Sequence, residues 1–363
     1  MQAPIRPDTA TGLRLMYWPN EPAHLYPEFT QAGGRAAFQA LADDGTIAAL
    51  AVYSYQVERA TFPDAATFER AALDAIRDFA PDILFAQHLF GTDVSADFWR
   101  RLRAEMPQVT LVYHDDDPFD RFVKRIDPAT AHATAAADLV LLSGLGELAA
   151  LFERHGAKTI RYMPSCFVKG RFAKSDPTHV PKTQDIVMIG NRGTRRRLKF
   201  LYVPGGRRRA AFAKGLSDRF GTRFALYGGG WLHLAAARGS LPFFQQEEAI
   251  QSGRITANWD HFDTIDYYFS DRLPIALAAG VPHVTTYHVG YDQVFADCPG
   301  FYPCRSVDEA IETCRWLLSR SDDDLLAEGL AAKAWVFANM EANIVFRRAY
   351  EQSVATHRLR HAA

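Results

Sequence analysis

The chain has 363 residues, enough for two domains that each bury their own core. Its 41 Lys and Arg nearly cancel its 42 Asp and Glu, which excludes nucleic-acid or membrane-surface binding driven by bulk charge and leaves any charged site to a local cluster. The four cysteines, Cys166, Cys298, Cys304 and Cys314, show no C-x-x-C spacing, so neither a zinc site nor a disulfide framework is expected, and a reducing cytoplasm fits.

The first residues, MQAPIRPDTATG, lack the apolar core of a signal segment, and no run reaches the roughly 20 apolar residues of a membrane span, so a soluble protein is expected. From Gly12 onward GLRLMYW (12–18), IAALAVYS (47–54), DILFAQH (82–88), VTLVYH (109–114), DLVLLS (138–143) and TIRYMP (159–164) read as strands. Between them GRAAFQALADDG, DAATFERAALDAIRDF, SADFWRRLRAEM, PATAHATAAA and GELAALFERHG read as helices. Such alternation predicts βαβ units and a parallel sheet covered on both faces.

The aperiodic, proline-containing stretch 168–184 reads as a linker between an N-terminal domain (1–167) and a C-terminal one (185–340). The alternation resumes there with DIVMIG (185–190), RFALYG (223–228), RITANW (254–259) and VPHVTTY (281–287) as strands. The helical tract 321–356 follows, and its last part, within 341–363, is expected to lie back across the first domain. In open parallel sheets ligands bind beyond the carboxyl ends of the strands, so two such domains create a cleft where those ends face one another.

Four segments carry chemistry. YHDDDP (113–118) places Asp115, Asp116 and Asp117 directly after a strand; metal ligation, a plain turn and an acceptor-side or catalytic role are all open. Pro118 disfavours helix at Asp117, so the three carboxylates are expected to point in different directions and not to chelate together. His88 and His114 end adjacent strands and are candidate bases with Asp115, because imidazole titrates near neutral pH. His24 and Glu28, in the loop 19–33, are weaker candidates for an acceptor pocket.

The second segment, MIGNRGTRRR (188–197), joins glycines that let backbone N–H groups approach an anion to arginines whose forked donors match phosphate oxygens, and Arg207, Arg208 and Arg209 follow. It matches neither G-x-x-x-x-G-K-[ST] nor G-x-G-x-x-G, which argues against a P-loop or a standard dinucleotide site. In the third, ALYGGGW (225–231), the glycines make a tight turn or leave room for a ligand, and Trp231 offers a flat face. The fourth, 258–295, places polar residues after a short strand and ends a helix at Gly280.

Within that last segment SDRLPIALAAGVPHVTT (270–286), followed by Gly290, Tyr291 and Phe295, resembles the S-x-R-x-x-E-x-L-A-x-G-x-P motif of GT-B glycosyltransferases. With MIGNRGTRR, YGGGW and DDDP at suitable intervals, the chain is most similar to the spore-maturation (CgeB-like) branch of family 1-type enzymes, patchily over 82–350 and most specifically in 186–295. The resemblance implies two Rossmann-like doubly wound domains facing across a cleft, with the C-terminal helix crossing back. It also implies a nucleotide-sugar donor on the C-terminal domain, an acceptor glycan, lipid-linked sugar, metabolite or protein on the N-terminal one, and transfer without metal or cofactor.

The candidate donor-binding residues are Gly190, Asn191, Arg192, Arg195, Gly229, Trp231, Asn258, Asp260, Ser270, Asp271, Arg272, Gly290 and Tyr291; the candidate catalytic residues are Asp115, His88 and His114. One departure stands out: where the family motif has the glutamate that grips the donor ribose, this chain has Ile275, and the acidic partner eight residues earlier is Tyr267. Asp260, Asp263, Asp266 or Asp271 would have to substitute. The expected activity is sugar transfer from a nucleotide diphosphate donor. A nucleotide-sugar epimerase, or a module that binds nucleotide sugars without turnover, is the alternative.

Overall fold

The computed structural model describes residues 12–27, 31–172, 176–195 and 198–362. The first sheet contains β1 (Leu13–Trp18), β2 (Ile47–Val52), β3 (Ile83–Gln87), β4 (Thr110–Asp115), β5 (Leu139–Leu142) and β6 (Ile160–Tyr162). All pair in parallel, in the order β2-β1-β3-β4-β5-β6. Because successive side chains leave a strand on opposite faces, Met16, Trp18, Leu84, Ala86, Leu111 and Tyr113 enter one core while Leu15, Tyr17, Ile83, Phe85 and Val112 enter the other. Several helices on these faces start where the sequence supplies an N-cap: Asp64, Ser95 and Asp127 accept from Thr67, Phe98 and Thr130 N–H groups.

The second sheet begins with β7 (Gln184–Ile189), which leads into a hairpin of β8 (Thr194–Arg195) and β9 (Leu198–Tyr202). There follow β10 (Phe224–Tyr227), β11 (Ala237–Gly239), β12 (Gly253–Ala257), β13 (His283–Thr286) and β14 (Phe301–Cys304). Its order is β11-β10-β7-β12-β13-β14, parallel throughout. Strands β8, β9, β11 and β14 are additions to the sequence reading. They are short edge or hairpin strands, too brief for periodicity to mark.

The tract 321–356 is not one helix. It splits into Asp322–Asn339 and Ala342–His361, and Glu341 caps the second by accepting from Asn343 N–H. This break turns the chain back, so that Val345, Phe346, Ala349 and Tyr350 join Leu15, Tyr17 and Phe85 in the core of the first half. No helix among the described residues is long and apolar enough to cross a membrane.

The halves meet along 262–269. Phe262, Ile265 and Tyr268 are part of the first half's core, Leu145 N–H donates to Asp266 O at 2.7 Å, and Tyr162 OH donates to Tyr267 O at 2.9 Å. Strand order reverses beside β1 and β3 in one sheet and beside β7 and β12 in the other. The crevices at their carboxyl ends therefore begin at His88 and at Gly190 and Asn258.

Candidate active site

At the first crevice His88 has a φ of 45°, a left-handed conformation costly for a side chain with a Cβ, and Tyr55 OH pins its carbonyl at 2.7 Å. Its Nδ1 lies 3.0 Å from Asp115 Oδ1, and Tyr113 OH donates to the other Asp115 oxygen at 2.5 Å. Tyr113 and Asp115 are two residues apart on β4 and so share a face. Asp115 is wholly buried, and after that burial its strongest influence, His88, holds its carboxyl below the ordinary range. Burial by itself would depress His88, yet Asp115, with Asp116 and Asp117 behind it, raises the imidazole to about 9. At neutral pH the pair is imidazolium and carboxylate.

The three aspartates part as expected for a turn before proline. Asp115 points inward; Asp117 pairs with Lys124 and lies 3.8 Å from His88 Nε2. Asp116 stays open to solvent although protein crowds around it, and that crowding lifts its carboxyl to about 6. Its carbonyl is held by Ser143 Oγ at 2.9 Å. Beside His88 opens a cavity of about 660 Å³ whose wall includes Asn20, His24, Tyr55, Gln56 and Phe90. His24 thus does face this pocket, whereas Glu28 lies outside the described residues.

His114 does not join the site. It leaves β4 on the opposite face, is buried against Gln87 at 2.9 Å, and burial takes its pKa down to about 4.

At the second crevice the glycines serve contact between two loops. A Cβ on Gly228, whose φ is 123°, would stand 2.4 Å from Gly190 O, and Asn191 Oδ1 accepts from Gly229 N–H at 2.7 Å. Trp231 is no ligand platform: it is 1% exposed in the core, and its indole N–H donates to Gly190 O at 2.6 Å. Among the nearby arginines, Arg209 is buried and clamps Trp259 O and Asn191 O, at 2.5 and 3.0 Å, while Arg208 pairs with Asp263 at 2.9 Å. Burial lowers Arg209 to about 10, so it remains a cation directly beneath Gly190 and Asn191. Arg192 is steadied by Tyr202 OH at 2.5 Å; the Arg195 side chain lies outside the described part.

Arg272 is half-buried and makes no hydrogen bond or ion pair among the described residues. Arg192 Nε, Asn258 Oδ1 and Ser270 Oγ are buried without a hydrogen-bond partner there. Unspent polar groups of this kind are costly unless a ligand or water completes them.

The carboxylates named as substitutes for a glutamate at 275 have other partners, with one exception. Asp260 is buried between Asn258 Nδ2 at 2.7 Å and His288 Nε2 at 3.5 Å, Asp263 takes Arg208, and Asp266 packs against Gly146 of the first half. Asp271 alone is exposed and without a cap bond. Ile275, 7% exposed, packs among Phe172, Ile250 and Leu273, and it borders a cavity of about 30 Å³ together with Asn258, Arg272 and His283. Tyr291 is likewise buried, its hydroxyl donating to Tyr268 O at 2.9 Å, and Gly290 takes a φ of 95° where a Cβ would strike the Tyr267 ring.

The two crevices adjoin. Tyr268 lies within the fields of Asp117 from the first half and of Asp260, Arg272 and Asp271 from the second. Asp116, whose carboxylate has no side-chain partner among the described residues, was considered from sequence only as one of the three DDDP acids and not among the named catalytic candidates. His88, Asp115 and Asp116 place three potential metal-ligand atoms within 4.8 Å. A cation there would have to displace a proton held on His88 up to about pH 9 and compete for Asp115 oxygens already bonded to His88 and Tyr113.

No curated protein matches the chain in sequence. Among solved structures it is similar to a glycosyltransferase from Rickettsia africae, with TM-score 0.57, 11% identity, and 95% and 99% of the two chains covered. Anabaena Alr3699/HepE in complex with UDP and glucose gives 0.55 at 10% identity over 94% and 99%. Sucrose-phosphate synthase from Thermosynechococcus elongatus gives 0.55 at 13% over 80% and 78%. Two facing parallel-sheet domains of this kind are the GT-B fold, and residues 207–363 match the family described as glycosyl transferase-like.

Proposed function

We propose that the protein transfers a sugar from a nucleoside diphosphate donor, held at the carboxyl edge of the second sheet, to a hydroxyl acceptor held at that of the first. The observation that carries this reading is that the two crevices adjoin at Tyr268, which lies within the fields of Asp117, the neighbour of the poised carboxylate Asp116, and of Arg272, a cation without a partner among the described residues. In the step envisaged, Asp116 takes the acceptor proton as the acceptor oxygen bonds to the sugar's anomeric carbon. The bond from that carbon to the diphosphate oxygen breaks, and the leaving charge is met by Arg272 and Arg192.

His88, fixed by Asp115, orients the acceptor oxygen from the cavity beside it. A base so placed supports inversion at the anomeric carbon. With the leaving group neutralised by arginines, the step needs no metal. A module that only binds nucleotide sugars would have no use for a strained, ion-paired histidine beside a carboxylate that titrates near 6, which favours turnover.

The family match and the UDP bound by the Anabaena relative support uridine diphosphate sugars as the first donors to test. The division into 1–167, a linker 168–184, 185–340 and 341–363 is part of the same proposal, as is a reducing compartment, which the free thiols support. Calorimetry with a panel of nucleoside diphosphates, followed by product analysis with the matching donors, tests it. Absence of nucleoside diphosphate binding defeats the reading, and conversion of a donor into an epimer without an acceptor replaces it with the epimerase.

A further inference from the structure

Away from both crevices lies a cavity of about 450 Å³ that none of the candidate catalytic or donor-contacting charges borders. It forms where the end of β6, the short helix Tyr291–Val294 and the helices Asp322–Asn339 and Ala342–His361 converge, so both halves and the returning helix contribute walls. Trp335, Met163 and Val345 supply apolar surface.

Two polar groups on the returning helix, one turn apart and hence on one face, line the same space: Arg348 and Gln352. Arg348 is exposed and has no hydrogen bond or ion pair among the described residues, whereas its neighbour Arg347 pairs with Asp44 at 2.7 Å. Gln352 Oε1 is buried and has no hydrogen-bond partner there. A free cation, a buried acceptor that wants a donor, and an indole ring share one chamber.

We infer that this chamber binds a small hydroxylated anion, a sugar carrying a phosphate or a carboxylate. Its charge pairs with Arg348, a hydroxyl donates to Gln352 Oε1, and the C–H face of the ring lies on Trp335. The volume suits a single molecule of that size.

The chamber also has a contact path to the donor side. Gln293, in its wall, accepts from Tyr267 OH at 2.8 Å, the Tyr162 ring packs on Tyr267 at 5.5 Å, and Tyr267 fills the space where Gly290 would otherwise carry a Cβ. An occupant therefore bears on the Gly290 loop and ties the two halves together. This coupling rests on the proposed donor site; the binding itself does not.

Calorimetry on the full chain with glucose 6-phosphate, glucuronate and neutral glucose tests the site. At least one anion is expected to bind about tenfold or more tightly than glucose, since a charge-assisted contact is lost in the neutral sugar. Whichever anion binds more tightly identifies the phosphate or the carboxylate as the ligand's charged group. Arg348→Glu is expected to abolish that preference, Gln352→Leu to weaken binding several-fold, and Arg347→Glu to leave it unchanged. The inference is overturned if neither anion binds, if Arg348→Glu and Gln352→Leu both leave affinity intact, or if Arg272→Ala removes the binding, which would place the anion in the donor cleft. Because Arg272→Ala is the variant that probes the donor site, failure there with nucleoside diphosphates is read separately from failure at Arg348.

Discussion

The two halves of the molecule present crevices built by one topological rule and filled with opposite chemistry. At the first, carboxylates surround a histidine, and all but Asp116 are committed: Asp115 to His88 and Tyr113, Asp117 to Lys124. At the second, arginines cluster, and Arg209 and Arg208 are committed while Arg272 is not. Strand order makes the place; the loop residues decide its sign, and the degree to which each charge is already paired separates scaffold from site. In both crevices the buried charge positions a loop, and the charge unpaired among the described residues is the one proposed to meet a substrate.

The strongest way to break this contrast is to remove the free carboxylate. Asp116→Asn is expected to lower turnover about 10²–10⁴-fold, the usual contribution of a general base, with nucleoside diphosphate affinity unchanged. Steady-state rates and calorimetry on one preparation check it, and undiminished turnover would end the assignment of Asp116 as the base.

Removing the free cation should separate binding from chemistry in the other direction. Arg272→Ala is expected to weaken nucleoside diphosphate binding by about 1.5–3 kcal/mol, the range for hydrogen bonds to charged groups, with Arg192→Ala a smaller loss because Tyr202 shares that guanidinium. Equal dissociation constants for Arg272→Ala and the parent would end the assignment.

Ile275→Glu sharpens the comparison at the point where the chain departs from the motif it resembles. Its near-complete burial predicts a loss of about 1–3 kcal/mol in unfolding free energy and no gain in donor affinity. A gain would mean that the ribose grip had only been mislaid and that Arg272 had accepted the new carboxylate.

The smallest effects are those of pH. A base near 6 and an imidazolium near 9 predict turnover that rises through about pH 6 and falls through about pH 9. Because His88 is raised above its ordinary value, its contribution to stability is complete below about pH 6.5 and fades as pH rises through about 9. Thermal melts of the parent and of His88→Gln should converge toward alkaline pH. In Asp115→Asn the main charge that raises His88 is lost while Asp116 and Asp117 remain, and the His88 resonance followed by NMR should titrate lower than in the parent.

Much of this architecture was legible because strands buried on both faces read as apolar runs, and the alternation of β-branched segments with capped helices leaves few other layouts. The ten strands read from the chain all appear within a few residues of their expected ends. What misled at the sites was the assumption that composition reveals availability. A glycine-rich turn ending in tryptophan looks the same whether its ring meets a ligand or, as here, the core; a run of arginines does not show that Arg209 will be swallowed as a clamp. Nor does DDDP tell which of its members faces solvent, since that follows from a single turn before Pro118.

The sequence by itself determined the two parallel sheets, the crevices at their carboxyl ends and the residue types that would gather there, because these depend on local periodicity and on which loops follow strands. Only the tertiary structure decided that His114 is buried away from the site while His88 is ion-paired within it, that Ile275 is packing, and that Asp116 and Arg272 are left without side-chain partners among the described residues. Those outcomes depend on which side chains, far apart in the chain, reach one another first, and a linear pattern carries no measure of that.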